Sequence, residues 1–301
     1  MAMDYGAQTL DDTRVPKELR PKFSLILATV NDRPRELRRF IDHIPQDFLL
    51  VTEVIIVNQA ESALHLQTHN SIPPSTITVI NSPERGLSVS RNKGLQRANG
   101  EILVFPDDDC FYDSKTLALV QSTFDKDQNI DVLLARHVDH RNGKSPHPRL
   151  GRKKHIQRND LVRFGNSITI FVRRSHKTDG ISFDERFGAG SVYGSHEETD
   201  YLMRLHDNGC QIIYDSEIVV YHELHDYDEW PVRKTFTYAM GGGAAWKKNR
   251  IPLREIIYHL FLRPTIGALL GLVQLRPLVF RYRATRALGG IFGFVLYSSK
   301  R

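Results

Sequence analysis

Short apolar runs, each ending in polar residues, recur through the first third of the chain and constrain its fold more than any other feature. The runs cover residues 23–28, 54–57, 77–80 and 101–105. Segments with helical spacing lie between them, and one opens at Pro34. Strands that alternate with helices form a mainly parallel sheet with helices on its faces. The sequence therefore predicts an α/β fold with a mainly parallel mixed sheet flanked by helices.

The positive charge of the chain is concentrated near its C-terminus. The formal net charge of the 301 residues is +6 at pH 7, and residues 247–301 contain eleven Lys and Arg residues but a single acid, Glu255. That tail carries +10, which leaves −4 for residues 1–246. Because the main body is slightly acidic, the basic balance does not indicate a nucleic-acid partner.

Three segments are expected from the composition along the chain. Residues 1–21 lack an apolar core behind a basic start, so we expect a polar lead-in rather than a signal peptide or a membrane anchor. Residues 22–236 form the main α/β domain, and residues 237–301 form a helical segment after a flexible joint at Gly241–Gly243. Two cysteines are too few for a disulfide framework, which favours a cytoplasmic location.

Three consecutive aspartates, Asp107, Asp108 and Asp109, directly follow the fourth apolar run. Repulsion among such close carboxylates has to be offset by positive charge. Mg²⁺ and Mn²⁺ are typically bound by one or two carboxylates together with substrate phosphates. Ligands also bind at the carboxyl ends of strands in such sheets. The sequence predicts a divalent-metal site here, with an acidic turn before the helix that begins near Asp113 as the alternative.

A second acidic cluster, Glu197 and Glu198, begins a predicted helix. Anionic side chains stabilise a helix N-terminus, so a structural role is one interpretation. The other is a general base that takes the proton of a hydroxyl in the ligand cleft. His222 ends a predicted strand and could complete a metal site begun by Asp109, although most single histidines are surface or core residues.

Taken together, these motifs resemble the inverting family-2 glycosyltransferases with the GT-A fold, over roughly residues 22–245. The resemblance is carried by five segments that occur in the family's order, residues 86–94 (GLSVSRNKG), 98–101 (ANGE), 105–109 (FPDDD), 197–200 (EETD) and 220–222 (VYH). It implies a Rossmann-like GT-A domain that transfers a sugar from a nucleoside diphosphate donor, with Mn²⁺ or Mg²⁺ as cofactor.

The resemblance also implies a role for each matching residue. Asp109 and His222 would hold the metal, and Glu198 would be the catalytic base, with Glu197 as the alternative. The family often has Asp where this chain has Asn58, so the nucleotide base stays open. The donor would be contacted by residues near the strand ends, namely Thr29, Asp32, Arg33, Asn58, Arg91, Asp107 and Asp108.

The tail combines apolar stretches with basic residues. Arg263 and Pro264 interrupt the first stretch, and we count no uninterrupted apolar run of the ~20 residues that span a bilayer. We therefore expect residues 247–301 to contact the cytoplasmic face of an anionic membrane, or else to pack on protein or on a second subunit. The acceptor would be a saccharide or a lipid-linked molecule, as in cell-surface polysaccharide synthesis.

Two other functions are compatible with an α/β sheet that binds nucleotides. A sugar-phosphate nucleotidyltransferase would need a Gly-rich phosphate loop after the first strand, and residues 28–33 (ATVNDR) contain no glycine. A non-catalytic carbohydrate-binding or scaffold protein would keep the fold and bind the nucleotide sugar without turnover. The oligomeric state is left open by the sequence.

Overall fold

A nine-stranded sheet organises the residues that the structure describes. The structure is a computed structural model, and it describes residues 20–30, 33–62, 64, 76–146, 153–164, 166–224 and 230–299. Most of the predicted lead-in, residues 1–19, therefore lies outside the described residues. So does Asp32, which the resemblance assigns to the donor.

The first half of the sheet is parallel, as the alternation of strands and helices predicts. Its strands lie in the order β3, β2, β1, β4. They are β1 (Phe23–Thr29), β2 (Thr52–Asn58), β3 (Ile77–Asn81) and β4 (Ile102–Val104). Thr29, Asn58 and Asn81 pair in register, so the polar ends of these strands meet at one edge of the sheet.

The second half of the sheet is mixed. Strand β8 is antiparallel to β4 and β6, β6 is parallel to β9, and both β5 and β7 pair antiparallel with β9. The strands are β5 (Cys110–Phe111), β6 (Val132–Val138), β7 (Lys153–His155), β8 (Ile170–Arg173) and β9 (Ile212–His222). The predicted α/β fold with a mixed sheet is confirmed.

Helices cover the sheet and form the C-terminal segment. They are α1 (Pro34–Asp42), α2 (Gln46–Leu49), α3 (Leu87–Leu95), α4 (Ser114–Lys126), α5 (Glu197–Asp207), α6 (Val232–Lys248), α7 (Leu253–Ile256), α8 (Arg263–Val273) and α9 (Pro277–Leu296). Two 3₁₀-helices, Arg158–Arg163 and Ser167–Thr169, precede β8, and a π-helix, Ile257–Leu262, joins α7 to α8.

The middle of strand β1, residues 25–28, is continuously apolar because both faces of the strand are covered. Leu25 and Leu27 belong to the core that includes α1 and α4. Ile26 belongs to the core on the opposite face, which includes residues of α5 and α6. All three side chains are buried. Such two-sided burial explains why the predicted strands are continuous apolar runs rather than alternating ones.

The flexible joint predicted at Gly241–Gly243 is wrong. These glycines lie inside α6 and are buried. Their missing side chains allow other backbones to approach the helix, because a Cβ on Gly241 would lie 2.6 Å from the carbonyl oxygen of Ser195, and one on Gly243 would overlap that of Gly290 in α9. Helix α6 runs across residue 236, and the domain boundary placed there stays a prediction.

The tail forms a longer apolar helix than the sequence suggested. Arg263 and Pro264 were expected to interrupt it, but α7, the π-helix and α8 form one helix over Leu253–Val273. This helix has 21 residues, and an 18-residue window within it has a mean hydropathy of 1.6, so it is long and apolar enough to cross a membrane by length and composition. The backbone continues through Pro264 because this proline lies in the first turn of α8, where the wider π-turns precede it.

Replacing Gly293 with alanine should destabilise the fold. The added Cβ would overlap the carbonyl oxygen of Met240 in α6, and that backbone cannot move away without disturbing the α6–α9 contact. We expect the free energy of unfolding to fall by about 1–3 kcal/mol, measured by chemical denaturation. Gly267→Ala is the matched control, because its Cβ would meet only the flexible side chain of Arg283. Equal stability of the two variants would contradict the packing argument.

Candidate functional site

The aspartate triple lies where the chain turns back after β4. Phe105 and Pro106 are buried, and the proline ends the strand because it lacks the N–H that a ladder needs. The carbonyl oxygen of Asp107 then accepts a hydrogen bond from the Cys110 backbone N–H at 3.3 Å. This turn reverses the chain into β5. Asp107, Asp108 and Asp109 are therefore presented at the end of the central strand, as predicted from their order.

Pairing of β5 with β9 brings His222 to the aspartates. Cys110 lies opposite His222 in the ladder, so the neighbouring Asp109 is adjacent to the histidine. Its Oδ1 lies 3.0 Å from Nε2 of His222. The backbone carbonyl of His222 lies 2.9 Å from Nε2 of His137, whose Nδ1 lies 3.2 Å from the Asn166 amide nitrogen. These distances fit His137 donating from Nε2 and accepting at Nδ1, which holds the end of β9 in place.

Asp107, Asp109 and His222 form a candidate metal centre. Their potential ligand atoms all lie within 4.8 Å of one another. Two carboxylate oxygens and an imidazole nitrogen suit Mn²⁺, and the oxygens suit Mg²⁺. The residues present thus fit the divalent cation that the sequence predicts, with Asp107 as a neighbour that the predicted ligand pair did not include.

The charges of the centre shift its pKa values in opposite directions. Burial would raise the pKa of Asp109, but hydrogen bonds and charges from His222 and Arg33 outweigh it and hold that pKa well below its ordinary value. Burial would lower the pKa of His222, but Asp109 and Asp107 raise it above the ordinary value. Burial dominates at Asp107 and raises its pKa despite the charge of Arg91. An anionic Asp109 is therefore available to a cation at neutral pH.

Arg33 supplies positive charge to the same carboxylates. It precedes α1, and its Nη2 lies 2.6 Å from an oxygen of Asp108, while Nη1 contacts Asp109. Asp108 is almost fully buried, whereas the guanidinium side chain is 44% exposed. Arg33 thus lies at the aspartates, within the region where the resemblance places the donor.

Arg91 is buried and connects the two acidic clusters. Its Nη1 donates to Oε1 of Glu197 at 2.9 Å, and its Nη2 donates to Ser167 Oγ at 2.7 Å. Nη2 also lies 3.4 Å from Oδ1 of Asp107. The side chain is 1% exposed, and its place near the nucleoside diphosphate, which the resemblance implies, stays a prediction. Arg91 positions the carboxylates on either side of it.

Glu197 and Glu198 have different surroundings, although both begin α5. Glu197 is buried and committed to Arg91. Glu198 is half-buried, and burial, the negative charge of Glu197 and a hydrogen bond to Glu197 raise its pKa well above the ordinary value. A carboxylate with a raised pKa accepts a proton readily. Of the two candidates for the general base, Glu198 is the one that is not paired with Arg91.

The backbone before these carboxylates is held by α6. His196 has a positive φ of 66°, a conformation that costs free energy in a non-glycine residue. Ser195 Oγ donates to the carbonyl oxygen of Tyr238 at 2.7 Å and lies 2.7 Å from Nδ1 of His196. The His196 ring packs against Gly242, and burial lowers its pKa to about 4. A neutral His196 thus fixes the start of α5.

Asn58 and Thr29 are buried at the strand ends. The Asn58 amide donates to the Ser62 carbonyl oxygen at 2.9 Å and to Asn81 Oδ1 at 3.0 Å, and its oxygen accepts from the Ala60 N–H at 3.1 Å. Asn58 has 0% exposure and shapes the loop after β2, and the contact with the nucleotide base that the resemblance implies stays a prediction. The carbonyl oxygen of Thr29 accepts from the Gln59 N–H at 2.9 Å.

Sequence reasoning missed the residues that support the site. Ser167, His137 and Ser195 carry no motif, and each contacts its partner only through the fold. Ser167 is 76 positions from Arg91, and His137 is 85 positions from His222. The only local signal was the glycine pair Gly241–Gly242 in a helix-like segment, where glycines are costly unless a close contact requires them.

Known proteins can now be compared with this site and fold. The sequence model described as glycosyl transferase family 2 matches residues 24–181. The chain belongs to this family. The match covers the Asp107–Asp109 turn and Arg91, while Glu198 and His222 lie beyond its end. No curated protein matches this family-2 chain with significance.

Solved structures share the fold of this family-2 chain. TarS 1–349 from S. aureus has a TM-score of 0.56 at 18% identity, over 91% of this chain and 90% of that one. A mannosyltransferase from Pyrobaculum calidifontis, in complex with GDP-Man and Mn²⁺, has a TM-score of 0.58 at 16% identity, over 94% and 88%. At these identities the likeness shows the GT-A fold alone.

Glu197→Ala and Glu198→Gln should differ in stability. Removing Glu197 takes away the nearer and buried carboxylate partner of Arg91 and leaves the longer contact with the Asp107 carboxylate, which should lower the free energy of unfolding by about 3–5 kcal/mol. A carboxyl whose folded-state pKa is raised destabilises the fold as the pH rises above its unfolded value. Glu198→Gln should therefore leave stability at pH 8 unchanged or increased. Urea denaturation at pH 8 checks both, and similar losses in the two variants would contradict the assignment.

Mn²⁺ binding should depend on His222, Asp109 and pH. His222→Ala and Asp109→Asn each remove a candidate ligand and should weaken binding measured by calorimetry at pH 7.5. Because the pKa of His222 is raised, protons should compete for its nitrogen below that pKa, and affinity should fall by up to about tenfold per pH unit. Asp42→Asn, at an exposed position in the last turn of α1, is the control. Equal Mn²⁺ affinity in His222→Ala would remove His222 from the centre.

Proposed function

We propose that this chain is a metal-dependent inverting glycosyltransferase, which moves a sugar from a nucleoside diphosphate donor to a hydroxyl group of an acceptor. One observation carries the proposal. A single buried guanidinium, Arg91, bonds to Glu197 beside the candidate base and approaches Asp107 in the candidate metal centre. The base and the metal centre are thereby fixed on the two sides of one arginine, as a single displacement requires.

The donor is proposed to bind with its diphosphate at the aspartate triple. TarS has been solved with UDP and with UDP-GlcNAc, and the P. calidifontis mannosyltransferase with GDP-Man and Mn²⁺. These complexes support a nucleotide-sugar donor for a chain of the same fold, without identifying its base or sugar. Arg33 is available to the phosphates, because its exposed guanidinium already lies at Asp108 and Asp109.

The displacement assigns a task to each group. Glu198 takes the proton of the acceptor hydroxyl while the oxygen forms a bond to the anomeric carbon. The bond from that carbon to the diphosphate oxygen breaks on the opposite face, the nucleoside diphosphate leaves, and the configuration inverts. Glu197 does not move a proton, because its pairing with Arg91 orients the first turn of α5. The raised pKa of Glu198 improves it as a proton acceptor.

Asp109 and His222, with Asp107 beside them, would hold Mn²⁺ or Mg²⁺. When bound, the ion supplies positive charge to the departing diphosphate. Asp107 and Asp109 are the carboxylates whose oxygens lie together with a nitrogen of His222 in the centre, whereas Asp108 is almost fully buried against Arg33. The two proposed roles match the pKa shifts of the side chains. Asp109, whose pKa is lowered, stays anionic and binds the cation, and Glu198, whose pKa is raised, accepts the proton of the acceptor hydroxyl.

The acceptor is proposed to be a saccharide or a lipid-linked molecule, in the synthesis of a cell-surface polysaccharide at the cytoplasmic face of a membrane. Cys110 and Cys210 are buried free thiols, which fits a reducing compartment. A carbohydrate-binding or scaffold protein of the same fold would bind the donor without turnover. Membership of a glycosyltransferase family sets the nucleotidyltransferase aside.

Turnover of a nucleotide sugar tests the function. A panel that includes UDP-GlcNAc and GDP-mannose, with Mn²⁺, should reveal transfer or slow hydrolysis, measured as released nucleoside diphosphate. Glu198→Gln should lower kcat by about 10²–10⁴-fold, because the base is lost, while thermal stabilisation by the donor persists. Glu198→Asp should restore part of the rate. Donor binding without turnover throughout the panel and a set of acceptors would instead support the scaffold protein.

The pH profile separates Glu198 from an ordinary carboxylate. Since a general base must be deprotonated, kcat/KM should rise with pH through the pKa of Glu198 in the free enzyme. That pKa is raised, so the acidic limb should lie above the ordinary glutamate value of about 4.3. A limb at or below that value would contradict the assigned base. The profile is measured at saturating Mn²⁺, so that protonation of His222 does not determine the acidic limb of kcat/KM.

A further inference from the structure

The C-terminal helices expose an apolar surface that the catalytic domain does not. Among the described residues, seventeen of the twenty-two large exposed apolar side chains lie between Leu253 and Leu296. We name this set the tail surface. On the helix over Leu253–Val273 its members are Leu253, Ile257, Tyr258, Phe261, Leu262, Ile266, Leu269, Leu270, Leu272 and Val273, and beyond that helix they are Leu275, Leu278, Phe280, Leu288, Phe292, Val295 and Leu296.

One stripe of the same helix is already used for packing. Ile256, Leu260, Pro264, Ala268 and Gly271 are buried at a spacing of three or four residues. Leu260 belongs to the core that includes α5 and α6, and a Cβ on Gly271 would meet the backbone of Phe280 in α9 at 2.9 Å. The helix is thus fixed to the protein along one side, and within the described residues its other sides remain apolar and exposed.

Positive charge accompanies the tail surface. Five exposed arginines lie on or beside it, namely Arg254, Arg263, Arg276, Arg281 and Arg286. Only one acid, Glu255, occurs in residues 247–301. Apolar side chains surrounded by arginines are complementary to a bilayer interface that contains anionic lipids. A second copy of this surface would instead bring like charges together.

The helix is suited to lying in the interface rather than crossing the bilayer. Arg263 is the middle residue of the helix over Leu253–Val273 and is exposed. In a spanning orientation its charge would lie near the bilayer centre, where an ionised side chain is costly. Along the interface, its long side chain can reach the headgroups while its apolar neighbours enter the acyl region.

The tail surface also adjoins the edge of the candidate site. Nη2 of Arg281 lies 3.5 Å from the carbonyl oxygen of Trp230, and the ammonium of Lys234 lies 4.0 Å from the centre of the Trp230 ring. Burial and the nearby charge of Arg33 both lower the pKa of Lys234. Arg33 in turn pairs with Asp108 and Asp109. Arg281 of α9 therefore contacts Trp230, Trp230 packs on Lys234, and Lys234 lies within the electrostatic influence of the Arg33 that pairs with the aspartates.

We propose that the tail surface docks into the interface of an anionic phospholipid membrane and that docking brings the candidate site to the membrane. The docking itself goes beyond the proposed function and does not depend on it. A further consequence, that the acceptor hydroxyl is presented by a molecule anchored in the same membrane, rests on the proposed function.

Vesicle co-sedimentation of the full chain tests the docking. The probes are vesicles of phosphatidylcholine alone and of phosphatidylcholine with phosphatidylglycerol. We expect binding to the anionic vesicles, and Val273→Glu or Leu275→Glu should weaken it by about tenfold or more, because each removes an apolar side chain that enters the acyl region. Leu50→Glu, at an 88% exposed position after α2, changes the same charge away from the tail surface and should bind as the parent chain does.

A second set of variants distinguishes electrostatic attraction to lipid headgroups from apolar contact alone. Arg276→Gln with Arg281→Gln should weaken binding to anionic vesicles more than to neutral ones, and high salt should have the same effect. Equal binding of the parent chain and Leu275→Glu to anionic vesicles would overturn the proposal. So would a stable dimer in sedimentation analysis that Leu275→Glu converts to a monomer without changing vesicle binding, because the surface would then be an interface between copies of the chain.

The two proposals fail in different measurements. Glu198→Gln should retain vesicle binding while losing turnover, and Leu275→Glu should lose vesicle binding while retaining donor hydrolysis in solution. Docking without any turnover would contradict the proposed function and leave the membrane contact intact. Turnover with no vesicle binding would contradict the docking and leave the transfer reaction intact.

Discussion

The buried guanidinium of Arg91 is the interaction on which the rest of the site depends. It bonds to Glu197 and Ser167 and approaches Asp107, so residues from α3, α5, the turn after β4 and the 3₁₀-helix before β8 meet around one side chain. A buried charge is costly unless it is paired and hydrogen-bonded. This requirement fixes the positions of Glu197 and Asp107 before any ligand binds, while Glu198 and Asp109, the proposed base and metal ligand, make no contact with Arg91 among the described hydrogen bonds and ion pairs.

Helix α6 links that constellation to the C-terminal segment. One side of its glycine run receives Ser195 and His196, which precede the two glutamates, and the other side packs on Gly290 and its neighbours in α9. Lys248, at the end of α6, lies 2.7 Å from both Asp184 and Asp200. The tail is therefore built onto the sheet domain through close backbone contact, and α6 lies between the tail and the start of α5.

Much of the fold was predictable because its signals are local. Continuous apolar runs identified the first four strands, and polar residues at their ends marked the ligand edge of the sheet, where Asp107–Asp109 indeed lie. The predictions were wrong where a tertiary contact overrode a preference that is based on local sequence. The glycines in α6 predict a flexible joint from the sequence, but in the fold they make room for the backbones of Ser195 and Gly290. Arg263 predicts an interruption of the apolar stretch, but the helix continues through it.

By itself, the sequence determined the α/β fold, the aspartate triple, the two glutamates and the basic apolar tail, because each depends on residues that are neighbours in the chain. Only the tertiary structure decided which of these residues act together. Pairing of β5 with β9 placed His222 beside Asp109, and Arg91 separated the structural Glu197 from the available Glu198. The tertiary structure also decided the surroundings of Asn58, which is buried and forms its hydrogen bonds with Ser62, Asn81 and Ala60. Charge and burial are properties of the folded surroundings, so identical side chains at adjacent positions acquire different roles.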